Sequence, residues 1–340
     1  MISSRTVLSS SLKYARYRGD ETIGNLGVGP TSRVIVQGFT GKAGTFHSEI
    51  AMMRKKGDGN RNENETKNGN SVRPTNIVGG VSPRLSTNVG THLGKPVYKT
   101  VEEAASYLKP DASVVYVPPL QAKDAIISAI ESEIPLIVCV SEGIPIHDQL
   151  EIQQALQSQW KSRLVGANTA GMINTRGCKL GIQPILAHSV GSVGIISKSG
   201  TLSYEVANAT SEMGLGQSFV IGVGGDPFPG TSSLEALKFL VNEPNTKGII
   251  ILGEIGSTFE TEVAEWLSEN QTILQQKPIV GYIAGIVAPP SRTMGHAGAM
   301  WEHGLGDDAP TKIKQWRRAG IKVVENTSQT AVVMNEVCLV

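Results

Sequence analysis

The chain has 340 residues, with 31 Lys and Arg against 30 Asp and Glu, for a formal charge of +1. That balance gives no broad basic face for nucleic acid or an anionic membrane, and the length accommodates two domains, each with a core of its own. The three cysteines, Cys139, Cys178 and Cys338, are an odd number without metal-ligand spacing, which fits a reducing compartment and offers no zinc site.

The first segment, MISSRTVLSSSLKYARYR, carries Arg5, Lys13, Arg16 and Arg18, several serines and no acid before Asp20. This is the composition of a mitochondrial presequence, expected over residues 1–20, and it directs the mature chain to the mitochondrial matrix. No apolar run reaches the length of a membrane span. From Arg33 onward, short β-branched runs alternate with helix-length segments. The runs are RVIVQG, NIVGGV, ASVVYVP, PLIVCVSEG, RLVGAN, SVGIISKSG, SFVIGVGGD, KGIIILGEIG, PIVGYIAG and IKVVEN, and they read as parallel strands buried on both faces. TVEEAASYLK, AKDAIISAIESE and SLEALKFLVNE between them show helical spacing of apolar residues. The alternation predicts an α/β chain with doubly wound, mainly parallel sheets. So many strands exceed one such sheet, so the chain divides near SQWKSRLVG into domains 31–157 and 160–340. Residues 54–74, RKKGDGNRNENETKNGNSVRP, have almost nothing to bury and are expected to be a disordered surface insertion.

Four stretches carry chemistry. In RVIVQGFTGKAGTFHSE a strand runs through Gly38-Phe39-Thr40-Gly41-Lys42-Ala43-Gly44 into a helix, where glycines and free N–H groups suit a phosphate. The spacing is not G-x-G-x-x-G, and no acid follows the second strand, so a nicotinamide dehydrogenase is unsupported. In GIISKSGTLSYEV a strand ends at Ser197-Lys198-Ser199-Gly200-Thr201 before a helix, either an anion site or a serine N-cap with no ligand. Glu254, in IIILGEIGS, stands at the carboxyl end of a strand, where open α/β sheets bind ligands. His296, in RTMGHAGA, sits among small residues. A carboxylate holding one of its ring protons leaves the other nitrogen as a nucleophile, and Glu254 is the candidate carboxylate.

Taken in order, GFTGKAGTFHSE, GGVSP, THLGKPVYKTVEEA, YVPP, SEGIP, GIQP, SKSGTLSYEV, GGDPFPG, LGEIG, GYIAG and MGHAGA resemble the alpha subunit of succinyl-CoA synthetase, the succinate–CoA ligase of the citric acid cycle. The resemblance runs from about Arg33 to about Val324. It implies a Rossmann-like CoA-binding domain followed by a flavodoxin-like ligase domain. It also implies reversible formation of succinyl-CoA from succinate, CoA and a nucleoside triphosphate, through phosphate carried on a histidine. By that resemblance His296 is the carrier and Glu254 orients it, while Ser199, Gly200 and Thr201 open a helix aimed at the phosphate. Thr40, Gly41, Lys42 and Ala43 fall on the first CoA segment, Val140, Ser141 and Glu142 on the second, and Arg84 stands near the place of a CoA-binding lysine. Tyr204 matches a tyrosine that meets the beta subunit near the substrate. That subunit supplies the ATP-grasp site for ATP or GTP with Mg²⁺, and a second helix for the phosphate.

Some positions depart from the family pattern. Gly166-Ala167-Asn168-Thr169-Ala170-Gly171 stands where the family reads G-P-N-C-P-G, a change expected to loosen the loop or alter the acid preferred. Ala43 replaces a polar residue, and Ser257 a glycine. The alternative they suggest is a diverged paralogue, acting on another carboxylic acid or serving as a non-catalytic CoA-binding partner subunit.

Overall fold

The computed structural model describes residues 20–53, 72–86 and 89–338. The presequence expected over 1–20 lies outside these residues apart from Asp20, as do residues 54–71 of the expected insertion. The end of that insertion departs from expectation, because Val72 is buried in a core cluster beside Ile173 and Val193.

After a 3₁₀ turn over Asp20–Leu26, the first sheet is built from β1 (Val34–Gln37), β2 (Ile77–Val81), β3 (Val89–His92), β4 (Lys95–Tyr98), β5 (Ala112–Val115), β6 (Leu136–Cys139) and β7 (Arg163–Gly166). Their order is β3-β4-β2-β1-β5-β6-β7, parallel except for β3. With that edge strand set aside, the order is that of a Rossmann sheet, whose direction of winding reverses between β2 and β5 on either side of β1. Helices α1 (Lys42–Met52), α2 (Val101–Leu108), α3 (Pro119–Glu131) and α4 (Ile146–Gln157) form the crossovers. Thr100 caps α2 by accepting the Glu103 N–H.

The second sheet holds β8 (Gly171–Asn174), β9 (Cys178–Gly181), β10 (Val190–Ser197), β11 (Gln217–Gly222), β12 (Gly248–Glu254), β13 (Ile279–Ala284) and β14 (Lys322–Val323). Its order, β14-β13-β12-β10-β11-β8-β9, is a flavodoxin-like parallel sheet extended at one edge by the antiparallel β8–β9 hairpin. Helices α5 (Gly200–Glu212), α6 (Ser233–Asn242), α7 (Phe259–Glu269), α8 (Thr272–Gln276), α9 (Ala309–Arg318) and α10 (Ser328–Cys338) complete it. A capping box between Ser232 and Glu235 starts α6. Every residue of β12, GIIILGE, is buried, and each of its isoleucines contributes about 1.5–3 kcal/mol by leaving water.

Two features depart from the sequence-based expectation. The seam falls later than 157–160, because β7 pairs with β6 from Leu136↔Arg163 to Cys139↔Gly166 and so completes the first sheet. The crossover through α4 returns the chain to the same sheet. The strands β3, β4, β8 and β9 were absent from the sequence reading, since each is short and carries glycine or polar residues in place of a β-branched run. The β3–β4 hairpin turns through Leu93 and Gly94, both with positive φ, as a two-residue turn requires.

The two halves share one core. Val34, Val114 and Val165 of the first sheet fall in the same buried cluster as Met172, Phe219 and Ile251 of the second. Polar ties reinforce the contact: the Lys179 N–H donates to Thr75 Oγ1 at 2.8 Å, the Tyr116 hydroxyl to Gly181 O at 2.9 Å, and Arg163 pairs with Glu235 at 3.1 Å.

Candidate active site

The parallel strands of the second sheet deliver their carboxyl ends to one edge. Ser197 at the end of β10 lies beside Leu252 of β12, so Lys198 and Glu254 emerge next to each other where the winding direction changes. The loop after β13 brings His296 to the same place. His296 Nδ1 lies 2.7 Å from Glu254 Oε2 and, facing a carboxylate, donates its proton. No hydrogen bond engages Nε2 among the described residues. The Glu254 hydrogen bond raises the imidazole above its usual range, against burial and the Lys198 charge, which lower it. Burial alone would raise the Glu254 carboxyl, but the His296 hydrogen bond and the Lys198 charge outweigh it and hold the group below its usual range.

The His296 side chain is only 25% exposed. A Cβ on Gly225 would stand 2.4 Å from the His296 Cγ, so the ring lies directly over a glycine backbone. Gly256, at φ +74, receives the other side of the loop, and a Cβ there would meet the Gly298 carbonyl oxygen at 2.1 Å. Close packing therefore explains part of the small-residue run around His296, and Ala299 is itself buried. The loop also closes on itself, Met294 N–H donating to Ala299 O at 2.9 Å and Ala299 N–H to His296 O at 3.0 Å.

Beneath this pair lies a buried charge network that the sequence reading missed. Lys198 Nζ is 3.3 Å from Glu254 Oε1 and 3.8 Å from Glu260 Oε1. Lys312 Nζ, on α9, binds Glu260 Oε2 at 2.7 Å and the Glu254 carbonyl at 2.8 Å. Burial lowers the Lys312 ammonium from its usual range, and Glu260 works against that shift. Lys198 had a signal in the SKSGT run, whereas Glu260 and Lys312 fall on helices α7 and α9 with no pattern that marks them.

Ser199 caps α5, its hydroxyl accepting the Leu202 N–H at 3.3 Å. The first helical bond runs from Ser203 N–H to Ser199 O, so the N–H groups of Gly200 and Thr201 stand ahead of it at the helix start. The serine is thus an N-cap, and a cap of this kind is compatible with an anion at the same terminus. Tyr204 lies over Gly200, its hydroxyl oxygen 3.6 Å from where a Cβ would be. Burial raises its phenol above the usual range.

The Gly166–Gly171 loop is fastened. Thr169 Oγ1 donates to Gly222 O at 2.6 Å and accepts the Gly171 N–H at 3.0 Å, and Ala167, Thr169 and Ala170 are buried. The expectation that losing two prolines loosens the loop is therefore corrected, because the threonine hydroxyl ties it to β11.

At the carboxyl edge of the first sheet, Gly38 at φ +76 turns the chain after β1, and Gly44 passes so close that a Cβ would meet Gly38 O at 2.2 Å. Gly41 caps α1 without a side-chain bond, and Thr40, Gly41, Lys42 and Ala43 are exposed at that helix start. Thr40 Oγ1 and Ser82 Oγ are 2.7 Å apart, and Arg84 is exposed in the loop that follows. Val140, Ser141 and Glu142 leave β6 at the same edge. Ser141 is buried and its hydroxyl donates to Val117 O at 2.6 Å, while Glu142 is exposed and its charge acts on His296. The two sheet edges thus face one another. Outside the site, the one His, Asp and Glu group close enough to hold a metal among the described residues is His147, Asp148 and Glu151, whose two acids are already paired with Lys123.

The comparisons with known proteins agree with this division. A CoA-ligase model matches residues 196–321, and a CoA binding domain model matches residues 57–143. The chain is 39% identical over 298 residues to the succinate–CoA ligase [ADP-forming] subunit alpha of Staphylococcus epidermidis, covering 88% of this chain and 90% of that protein. The subunit of the same name from Staphylococcus aureus matches with the same identity and coverage. Among solved structures, an ATP citrate lyase from Methanothrix soehngenii superposes with a TM-score of 0.76 at 20% identity, over 93% of this chain and 51% of that one. The dinucleotide forming acetyl-coenzyme A synthetase 1 of Ca. Korarchaeum cryptofilum gives a TM-score of 0.67 at 17% identity, over 92% of this chain and 61% of that one. These two likenesses concern the fold alone, since the chain spans only half to three-fifths of those proteins.

Proposed function

The chain belongs to the family of succinate–CoA ligase alpha subunits, and as a CoA ligase of that family we propose that it forms succinyl-CoA through phosphate carried on His296. The observation that carries the mechanism is the 2.7 Å bond from His296 Nδ1 to Glu254, which fixes the tautomer and leaves the Nε2 lone pair to attack a phosphorus atom. On this reading phosphate passes from a nucleoside triphosphate to Nε2, then to the carboxylate of succinate. The thiol of CoA displaces it to give the thioester and inorganic phosphate. On this reading the start of α5, with Ser199, Gly200 and Thr201, offers the phosphorylated ring N–H groups and the positive end of its dipole.

CoA lies along the first sheet's carboxyl edge, against Thr40, Gly41, Lys42, Ala43 and Val140 to Glu142, with Arg84 free to meet its phosphates. A beta subunit brings the nucleotide, Mg²⁺ and a second helix. Ile286, Val287, Met294, Met300 and Leu305 are exposed apolar side chains on the segment that carries His296, and they support a partner surface there. On the same reading Tyr204 meets the beta subunit near the substrate. The basic, serine-rich N-terminal composition supports import into the mitochondrial matrix and a place in the citric acid cycle.

The experiment is phosphorylation of the chain, paired with a beta subunit, by labelled nucleotide and Mg²⁺. Acid-labile phosphate is expected on the wild-type chain and none on His296→Asn. Label of equal amount on that variant removes His296 as the carrier, and a panel of dicarboxylates then identifies the acid.

A further inference from the structure

Asp226 is a buried acid that the phosphate-carrying pair does not use. It follows the glycine on which the His296 ring rests, and its side chain is within the protein, with Oδ2 buried and lacking a hydrogen-bond partner. The Asn168 side chain favours the charged form of the carboxyl, against the burial that raises it. Asn168 is itself fixed from both sides: its N–H donates to Ser141 O at 3.0 Å, and its carbonyl accepts the Gly225 N–H at 3.1 Å. Backbone hydrogen bonds therefore join the edge of the CoA binding domain, at Ser141, through Asn168 to Gly225, which lies beneath the His296 ring and precedes Asp226. The charges of Glu142 and His296 both act on Asp226, and His296 is in turn set by Glu254 and Lys198.

A thiol attacks only after losing its proton, and an unperturbed thiol ionises near about 8.5, so near neutrality an acceptor is needed. The acids around His296 differ in what they already hold. Glu254 binds His296 and Lys198, and Glu260 binds Lys312 and approaches Lys198. Glu142 is exposed to water. Asp226 Oδ2 and Glu254 Oε1 are both buried without a hydrogen bond, but Lys198 Nζ stands 3.3 Å from Glu254 Oε1, whereas no ion pair reaches Asp226 among the described residues. Burial and the Glu142 charge also raise its carboxyl above the usual range, toward the range in which a carboxylate accepts protons effectively.

We propose that Asp226 accepts the thiol proton when coenzyme A attacks the acyl phosphate, an assignment that rests on the ligase reading above. The S–H bond breaks and its proton passes to Oδ2. The sulfur forms a C–S bond at the acyl carbon as the C–O bond to phosphorus's oxygen breaks. The departing phosphate takes that electron pair and then the proton from Asp226, which returns to its starting charge.

The test separates the two half-reactions in the chain paired with a beta subunit: labelling of His296 by nucleotide and Mg²⁺, then release of the label into thioester formation with succinate and CoA. In Asp226→Asn, labelling proceeds while thioester formation slows by roughly 100- to 10,000-fold and recovers as pH rises and the thiol ionises unaided. Asp226→Glu, which keeps a carboxylate, loses less. Equal slowing of both half-reactions, or of neither, overturns the assignment. Should Asp226→Asn fail to assemble, Asp226→Glu decides by the same comparison, since a greater loss in thioester formation than in labelling upholds it and an equal loss overturns it. An unlabelled wild-type pair overturns the ligase reading, and this assignment with it, and is distinguishable from a labelled pair whose variants keep thioester formation.

Discussion

His296 and Glu254 shift each other in opposite directions, and each shift has its own pH window. The imidazole is raised above about 6.5, so its contribution to stability is full below that value and is lost as pH rises through the folded value. The Glu254 carboxyl is depressed, so its contribution is present above about 4.3 and is lost as pH falls through its lower folded value. His296→Asn should therefore destabilise the chain more at pH 5.5 than at pH 9, read as the difference in melting temperature between variant and wild type; equal losses at both would contradict the pairing. On the proposed mechanism the same shift governs reactivity, because only the neutral ring offers an Nε2 lone pair. The rate of labelling should rise with pH through a midpoint above the usual histidine value. Glu254→Gln should move that midpoint down and lower the plateau by roughly 10- to 100-fold, the range for a partner that orients a histidine.

At the scale of elements, the site is an arrangement of strand ends and glycine seats. Glu254 closes β12, Lys198 follows β10, and the loop after β13 drops His296 onto Gly225. A methyl group at Gly225 has no room, because the atoms it meets belong to a ring already bonded to Glu254 and the loop behind that ring is seated on Gly256. Gly225→Ala should thus displace the imidazole, cutting labelling strongly while leaving CoA affinity unchanged. Equal loss of CoA binding in a calorimetric titration would show instead that the change spreads to the first sheet. Beneath the strand ends, Lys198, Glu260 and Lys312 keep the buried charges matched, which an isolated Glu254 in that position would lack.

For the whole molecule, the two sheets meet through a common core and through the Arg163–Glu235, Tyr116–Gly181 and Thr75–Lys179 contacts. Neither half buries its facing apolar surface alone. Heating should give one cooperative calorimetric transition, with a van't Hoff enthalpy equal to the calorimetric one, and two resolved transitions would refute the shared core. The same contact brings Ser141 and Glu142 toward Asn168, Asp226 and His296, so the joint between the halves also builds the site.

Much of this was legible in the sequence because the signals are local. Runs such as KGIIILGEIG mark buried parallel strands by composition, the glycine turns mark strand-to-helix corners, and the ordered motifs carry the family. The edge hairpins β3–β4 and β8–β9 escaped, since short strands with glycine and polar residues leave no period to read. The placement of β7 escaped because a strand's sheet is decided by which neighbour completes its hydrogen bonds, and RLVG is equally apolar in either domain. By itself, then, the sequence determined two parallel α/β units and named His296 and Glu254. Only the tertiary structure decided that they touch, that Gly225 receives the ring, that Lys198, Glu260 and Lys312 balance the buried charge, and that Asp226 keeps an uncommitted oxygen. Those relations join residues far apart in the chain, and their strength depends on burial, which no local pattern encodes.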